Sequence, residues 1–159
     1  MSEFRPFGVT ADDEVSKFKI RGTRHTLRSV PSPHPDLTEY FLWERAGKIT
    51  QIVGETEEID SDERLSRAQE VYFELLSILT PKYGETGSTQ EWIDEDAWSS
   101  LVTGQKQLIS VWLNFKDDLP LGIRQIILAL DALSCGKSKV WLSYQFGEQR
   151  KIADPESYL

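Results

Sequence analysis

The sequence is poor in the residue types on which most metal and nucleophile sites are built. It holds one cysteine and two histidines in 159 residues. A single cysteine excludes an internal disulfide, and cytoplasmic residence is the default expectation for such a chain. Neither His25 nor His34 has a partner at the i, i+4 spacing that a helical metal site uses. We therefore predict no metal, no cofactor and no catalytic residue set.

Long apolar runs are also missing. No stretch approaches the roughly 18–20 apolar residues that a helix needs to cross a bilayer. The first residues, MSEFRPFGV, contain no apolar segment of the kind found in secretory signals. The expectation is a protein without membrane association.

The sequence also lacks an excess of positive charge. The formal net charge is −8, from 26 acidic and 18 basic residues. Such a balance argues against binding to duplex nucleic acid or to an anionic membrane, since either would select a basic surface. It suits a solubilising surface and, equally, a protein that binds a basic partner. The charge is unevenly spread, with a basic stretch at 17–28 and an acidic one at 55–63.

The strongest pattern in the chain predicts one long helix from Asp60 to Gly84. Asp60 is a favourable N-cap, and Glu63 lies three residues on, as in a capping box. Pro81 and Gly84 predict the end of the helix. Apolar residues recur in steps of three and four, which places them on one face: Leu65, Ala68, Val71, Tyr72, Leu75, Leu76 and Leu79.

Alternating side chains predict strands on both sides of this helix. Glu39–Arg45 and Lys48–Val53 read as a β-hairpin, whose second strand could extend to Ile59. Leu108–Phe115 reads as a strand. The apolar run Ile123–Leu133 fits a strand or a buried helix, and we favour a strand because a tight SCGKS turn follows. Alternation at Val140, Leu142, Tyr144 and Phe146 then completes a three-strand meander.

Together these elements predict an α+β fold. An antiparallel sheet of about five to six strands would pack on the central helix, with short helices at Thr10–Phe18 and Asp94–Gly104. The chain length predicts a single domain over 1–159. Its parts are a helix and hairpin half (1–59), the central helices (60–104), the meander (105–147) and a polar tail (148–159).

Short landmarks spread along the chain resemble those of a group of uncharacterised bacterial proteins. They include Pro6-Phe7-Gly8, Lys82-Tyr83-Gly84, Trp112, Leu119-Pro120 and Tyr144-Gln145-Phe146. The resemblance spans most of the chain, but its motifs are structural and imply no activity. In size and acidity the chain is also similar to bacterial toxin-immunity proteins, a similarity of class rather than of motif.

Three short motifs suggest catalysis but fit structure better. Ser134-Cys135-Gly136-Lys137 has the S-x-x-K spacing of some acyl-transfer enzymes, yet it falls in a turn rather than at the start of a helix. Cys135 beside Lys137 could be a reactive thiol, but no histidine is near in sequence. His34-Pro35-Asp36 matches the loop of J-domain co-chaperones without their flanking helices.

Two acidic clusters are the candidate functional residues. The cluster at 55–63 can also be explained as a solvated strand edge, and the cluster at 91–96 as helix capping. As a binding surface they would steer a basic partner, with Trp92 as the aromatic anchor. The predicted partner-binding residues are Glu55, Glu57, Glu58, Glu91, Trp92, Asp94, Glu95 and Asp96.

The sequence therefore predicts a non-catalytic protein-binding module. It would act as a bacterial immunity or antitoxin-type inhibitor that binds a basic toxin or effector. Two alternatives stay open. One is a carboxylate-dependent hydrolase working near Trp92. The other is a structural protein that forms a homodimer through an exposed strand edge.

Overall fold

The computed structural model describes residues 6–9, 20–21, 25–27, 30–45, 48–60, 65–84, 92–93, 97–104, 107–113, 122–133 and 136–147. Its main feature is an eight-stranded antiparallel sheet. The strands are β1 (Ile20–Arg21), β2 (His25–Leu27), β3 (Glu39–Arg45), β4 (Lys48–Glu55), β5 (Ile59–Asp60), β6 (Leu108–Leu113), β7 (Ile123–Ala132) and β8 (Lys137–Phe146). Their order is β1-β2-β3-β4-β8-β7-β6, and β5 pairs with β8 beyond the end of β4.

One long helix, α1 (Ser66–Tyr83), covers one face of this sheet, which we call the first face. The apolar stripe predicted from the sequence is buried against the even-numbered residues of β7 and β8. Tyr72 is fully buried, and Leu75 and Leu79 are nearly so. Burying one leucine of this kind stabilises a fold by roughly 1.5–3 kcal/mol. The core of the protein therefore lies between α1 and the first face.

The α+β class, the β3–β4 hairpin and the β6–β7–β8 meander are confirmed. Ile123–Ala132 is a strand, as favoured. The expected number of strands was too low. The additional strands are β1, β2 and β5, which have only two or three residues each and show no periodicity. The second helix, α2 (Ala97–Val102), is shorter than expected. The helix predicted at Thr10–Phe18 lies outside the described residues.

The predicted start of α1 was wrong. The helix begins at Ser66, after Leu65 in a left-handed conformation (φ 53°), and no side chain caps it. Asp60 lies instead in β5, and its carboxylate pairs with the Lys137 ammonium at 2.9 Å. A strand contact with a residue far along the chain therefore replaces the local cap. The C-terminal prediction is confirmed, because the Gly84 amide donates to the Thr80 carbonyl at 2.8 Å.

Polar groups inside the core are paired across elements. The Gln69 side chain donates to the Ile93 carbonyl and accepts from the Ile93 amide, both at 2.8 Å. The Tyr72 hydroxyl shares a hydrogen bond with Ser110 Oγ at 2.7 Å. Trp112 Nε1 donates to the Gly84 carbonyl at 2.6 Å. These bonds fix the two ends of α1 and the segment before α2 relative to β6.

Aromatic rings fill the first face at the middle of the sheet. Phe7 makes edge contacts with Tyr40 and Tyr144, at centroid distances of 5.0 and 5.5 Å. Tyr144 in turn shares a hydrogen bond with the hydroxyl of Tyr83 at the end of α1. Burial raises the pKa of both tyrosines, and it raises that of Tyr144 well above the ordinary 10.0.

These raised pKa values predict alkaline unfolding. Tyrosines of the unfolded chain ionise near pH 10, while the raised pKa values keep Tyr83 and Tyr144 of the folded protein protonated to higher pH. The free energy of unfolding should therefore be constant up to about pH 9 and fall as the pH rises further. Each tyrosine that ionises only on unfolding adds about 1.4 kcal/mol of loss per pH unit.

Urea unfolding between about pH 7 and pH 11.5 measures this loss. Tyr144→Phe should make the decline with pH shallower, whatever it does to stability at pH 7. An equally steep decline in the variant would show that Tyr144 does not contribute.

Candidate protein-binding surface

The sheet has a second face, opposite α1, and the strand registers define it. Side chains alternate along a strand, so the residues between the core positions point away from α1. One row of this face crosses five strands through the pairs Glu39–Glu55, Glu55–Trp141, Trp141–Ala129 and Ala129–Ile109. The row joins carboxylates on β3 and β4 to an apolar stretch on β7 and β6.

This row lies at the end of the sheet where carboxylates collect, which we call the acidic end. There β3 and β8 begin, while β4 and β7 finish. Antiparallel pairing therefore brings together residues that are far apart in sequence. Among the described residues, the acidic end comprises Glu39, Glu55, Glu57, Glu58, Asp60 and Asp131, together with two cations, Lys137 and Lys139.

Lys139 holds the centre of the acidic end together. Glu39 and Glu55 are directly opposite each other on β3 and β4, an arrangement in which like charges repel. The Lys139 ammonium lies 3.3 Å from Glu55 Oε2 and 3.9 Å from Glu39 Oε2. The Glu55 side chain is only 19% exposed. Its charge is thus largely offset within the sheet, so Glu55 is less suited to steering a basic partner than an exposed glutamate would be.

Glu57 and Glu58 have a different environment. They are exposed and link β4 to β5. The preceding Thr56 anchors them, since its amide donates to the Val140 carbonyl at 2.9 Å and its hydroxyl accepts from the Val140 amide at 3.1 Å. Neither glutamate takes part in an ion pair with another described residue. Two charges without an ion-pair partner among the described residues are therefore presented on a backbone that is fixed to β8.

Trp92 lies elsewhere on the molecule. It is 41% exposed and stacks on Phe73 of α1, with ring centroids 5.7 Å apart and planes at 30°. Helix α1 covers the first face, whereas the Glu55 side chain belongs to the second. The structure thus does not bring Trp92 together with Glu55. The other predicted contact residues, Glu91, Asp94, Glu95 and Asp96, lie outside the described residues.

An indole and a carboxylate that the sequence did not single out occur at the acidic end. Trp141 Nε1 donates to Asp131 Oδ2 at 2.8 Å. Beside them a cavity of about 380 Å³ opens between α2 and the ends of β6, β7 and β8. A large aromatic residue on the non-core side of β8 was visible in the alternation around Val140 and Leu142. Asp131 was not, because only the register places it beside Trp141.

Of the motifs that suggested catalysis, His34 lies in a loop, and Lys137 belongs to the acidic end. His34 Nδ1 accepts from the Asp36 amide at 3.1 Å, which gives the histidine a role in its own loop. Lys137 pairs with Asp60. Ser134 and Cys135 lie outside the described residues. Within the described part of the chain, no three His, Cys, Asp or Glu side chains are grouped as a metal site would require. None of the described helices is long and apolar enough to span a membrane.

Comparison with known proteins finds no match among protein-family models, curated proteins or solved structures. A functional assignment therefore depends on the geometry and charge of the surface itself.

Proposed function

We propose that this protein is a non-catalytic binding module that holds a basic protein partner against the acidic end of its sheet. One observation carries the proposal. Antiparallel pairing collects carboxylates from β3, β4, β5 and β7 at one end of the sheet, where they outnumber the two lysines. The exposed pair Glu57 and Glu58 adds charge that no described cation offsets.

Electrostatics indicates what such a surface does. A net charge of −8 attracts a basic protein over distances of about 10 Å at ordinary salt. Local complementarity then favours one orientation of the complex. An inhibitor that masks the basic surface of a bacterial toxin or effector is the class of protein that uses these properties, so we propose an immunity or antitoxin-type role in the cytoplasm.

The proposal predicts the effect of reversing the two exposed charges. Glu57→Lys with Glu58→Lys should reduce capture of the basic partner about tenfold at low salt, because steering charges are lost. The melting temperature should stay nearly unchanged, since exposed substitutions usually alter stability by less than about 0.5 kcal/mol. The measurement uses three tagged baits: the native protein, the Glu57→Lys/Glu58→Lys variant and a control variant. Proteins that each bait captures from a lysate of the source organism are identified and quantified by mass spectrometry.

The third bait is the matched control. Glu70→Lys with Glu74→Lys changes the net charge by the same amount on the exposed side of α1. A basic protein retained by the native and control baits, and lost from the Glu57→Lys/Glu58→Lys bait, supports the acidic end. Equal loss from both double variants would mean that only net charge matters and would overturn the assignment of the surface.

Self-association is a second candidate, favoured by β6. This strand is an edge of the sheet and carries no charge in its sequence, Leu108–Leu113. Among the described strands, β7 alone pairs with it. Uncharged edge strands readily pair with another chain. Baits that retain only copies of the same protein would favour this candidate.

A further inference from the structure

The cavity beside Trp141 has the size and lining of a site for one long side chain. Its volume of about 380 Å³ is at the lower end of the usual range for ligand pockets. Aliphatic side chains in the lining include Leu101 from α2 and Ile109 and Ala129 of the second face. Gln107, Asp131 and the indole of Trp141 contribute polar groups to the same lining. A cavity that offers both aliphatic side chains and a carboxylate suits a ligand that is aliphatic along its length and cationic at its tip.

The hydrogen bond between Trp141 and Asp131 fixes the position of the carboxylate in the cavity lining. The indole N–H occupies Asp131 Oδ2, which holds the carboxylate beside the edge of the indole ring. Lys139 is the cross-strand neighbour of Asp131, but its ammonium is directed to Glu55 and Glu39. No ion pair between described residues includes Asp131. A carboxylate and an indole thus adjoin the cavity without a described cation between them.

We propose that this cavity receives an arginine side chain of the basic partner. Its methylene stem would lie along Leu101, Ile109 and Ala129, and its guanidinium would meet Asp131 and the face of Trp141. Arginine suits the site better than lysine, because its planar group pairs with a carboxylate and stacks on an aromatic ring at the same time. The inference rests on the proposed function and names the anchor of that interaction.

The charge pattern of the surface supports this occupant. Glu55 and Trp141 are neighbours in the same row of the second face, so the cavity opens beside the carboxylates of the acidic end. A partner attracted by Glu57 and Glu58 would therefore bring its basic residues to the mouth of the cavity. Buried arginine and tryptophan are frequent anchors at the centre of protein interfaces.

A titration with a single residue tests the cavity without the partner. The probe is N-acetyl-arginine methylamide, added to ¹⁵N-labelled protein while the indole N–H signals are followed by NMR. The Trp141 signal, identified by its loss in Trp141→Phe, should shift saturably. The norleucine analogue, which keeps the stem and lacks the charge, should cause no comparable shift. Equal shifts with both probes would overturn the proposal.

Asp131→Asn supplies the decisive variant, since it keeps the shape of the site and removes the charge. We expect about a tenfold weaker affinity for the arginine probe. Glu74→Gln, on the exposed side of α1, should bind the probe as the native protein does. Unchanged affinity in Asp131→Asn would contradict the proposed site.

The same variants separate failure of this inference from failure of the proposed function. If Glu57→Lys/Glu58→Lys loses the partner while Asp131→Asn retains it fully, the acidic end binds the partner and the arginine site is refuted. If the arginine probe binds in an Asp131-dependent way while no basic protein is captured, the cavity is a cation site and the proposed function fails.

Discussion

Replacing Gln69 with leucine should destabilise the protein by about 2–6 kcal/mol. The Gln69 side chain has no exposed surface, and it satisfies both backbone groups of Ile93, which is itself buried. Leucine fills a similar volume but offers neither a donor nor an acceptor. The Ile93 amide and carbonyl would then be buried without these partners, at about 1–3 kcal/mol each. Urea unfolding monitored by circular dichroism measures the change.

A control on the same helix distinguishes this loss from a general effect of leucine. Glu74 is exposed, so Glu74→Leu should change stability by less than about 0.5 kcal/mol. Hydrogen exchange gives a local readout, because the Ile93 amide should exchange faster in Gln69→Leu. Protection of that amide at the native level would contradict the hydrogen-bonded arrangement.

Replacing Gly54 with valine should cost about 1–3 kcal/mol or more through overpacking. A Cβ at this position would lie 3.0 Å from Phe7 Cζ, 3.0 Å from Tyr40 Cε1 and 3.1 Å from Leu37 Cδ1. The two rings pack edge to face against each other, and both would have to shift by a few tenths of an ångström to admit a side chain. Valine favours strands intrinsically, so a destabilised variant would show that the aromatic cluster, rather than strand propensity, selects glycine here.

A second substitution tests the steric cause. Leu37→Ala opens space beside Gly54 and should itself destabilise the protein by about 2–5 kcal/mol. If the contact with Leu37 causes the cost, the double variant Leu37→Ala/Gly54→Val should lose less stability than the sum of the two single changes. Strict additivity would rule out a clash at Leu37.

Much of the fold could be predicted because its signals are local. Alternation identified the β3–β4 hairpin and β8, an apolar run followed by a tight turn indicated β7, and the apolar stripe identified α1. The start of α1 was missed because Asp60 pairs with Lys137, a residue that is distant in sequence. A local capping pattern cannot compete with a strand contact that only the folded sheet supplies. The two-residue strands β1 and β5 are too short to show any periodicity.

The surface was less predictable, since strand register assembles it. Charge density pointed to Glu57 and Glu58, which are exposed. It gave Glu55 equal weight, although Lys139 on β8 offsets that charge. Nothing local links Asp131 to Trp141, because they meet only across the β7–β8 pair. Trp92 stacks on Phe73 of α1, and the acidic residues next to it in sequence lie outside the described residues.

The salt dependence of the association rate tests the central claim most directly. With the captured basic partner immobilised, the association rate constant is measured from about 20 mM to about 300 mM salt. We predict a steep decline with salt for the native protein and for Glu70→Lys/Glu74→Lys, and a much shallower one for Glu57→Lys/Glu58→Lys. The same steep decline in all three proteins would contradict the account, because the acidic end would then not be the surface that meets the partner.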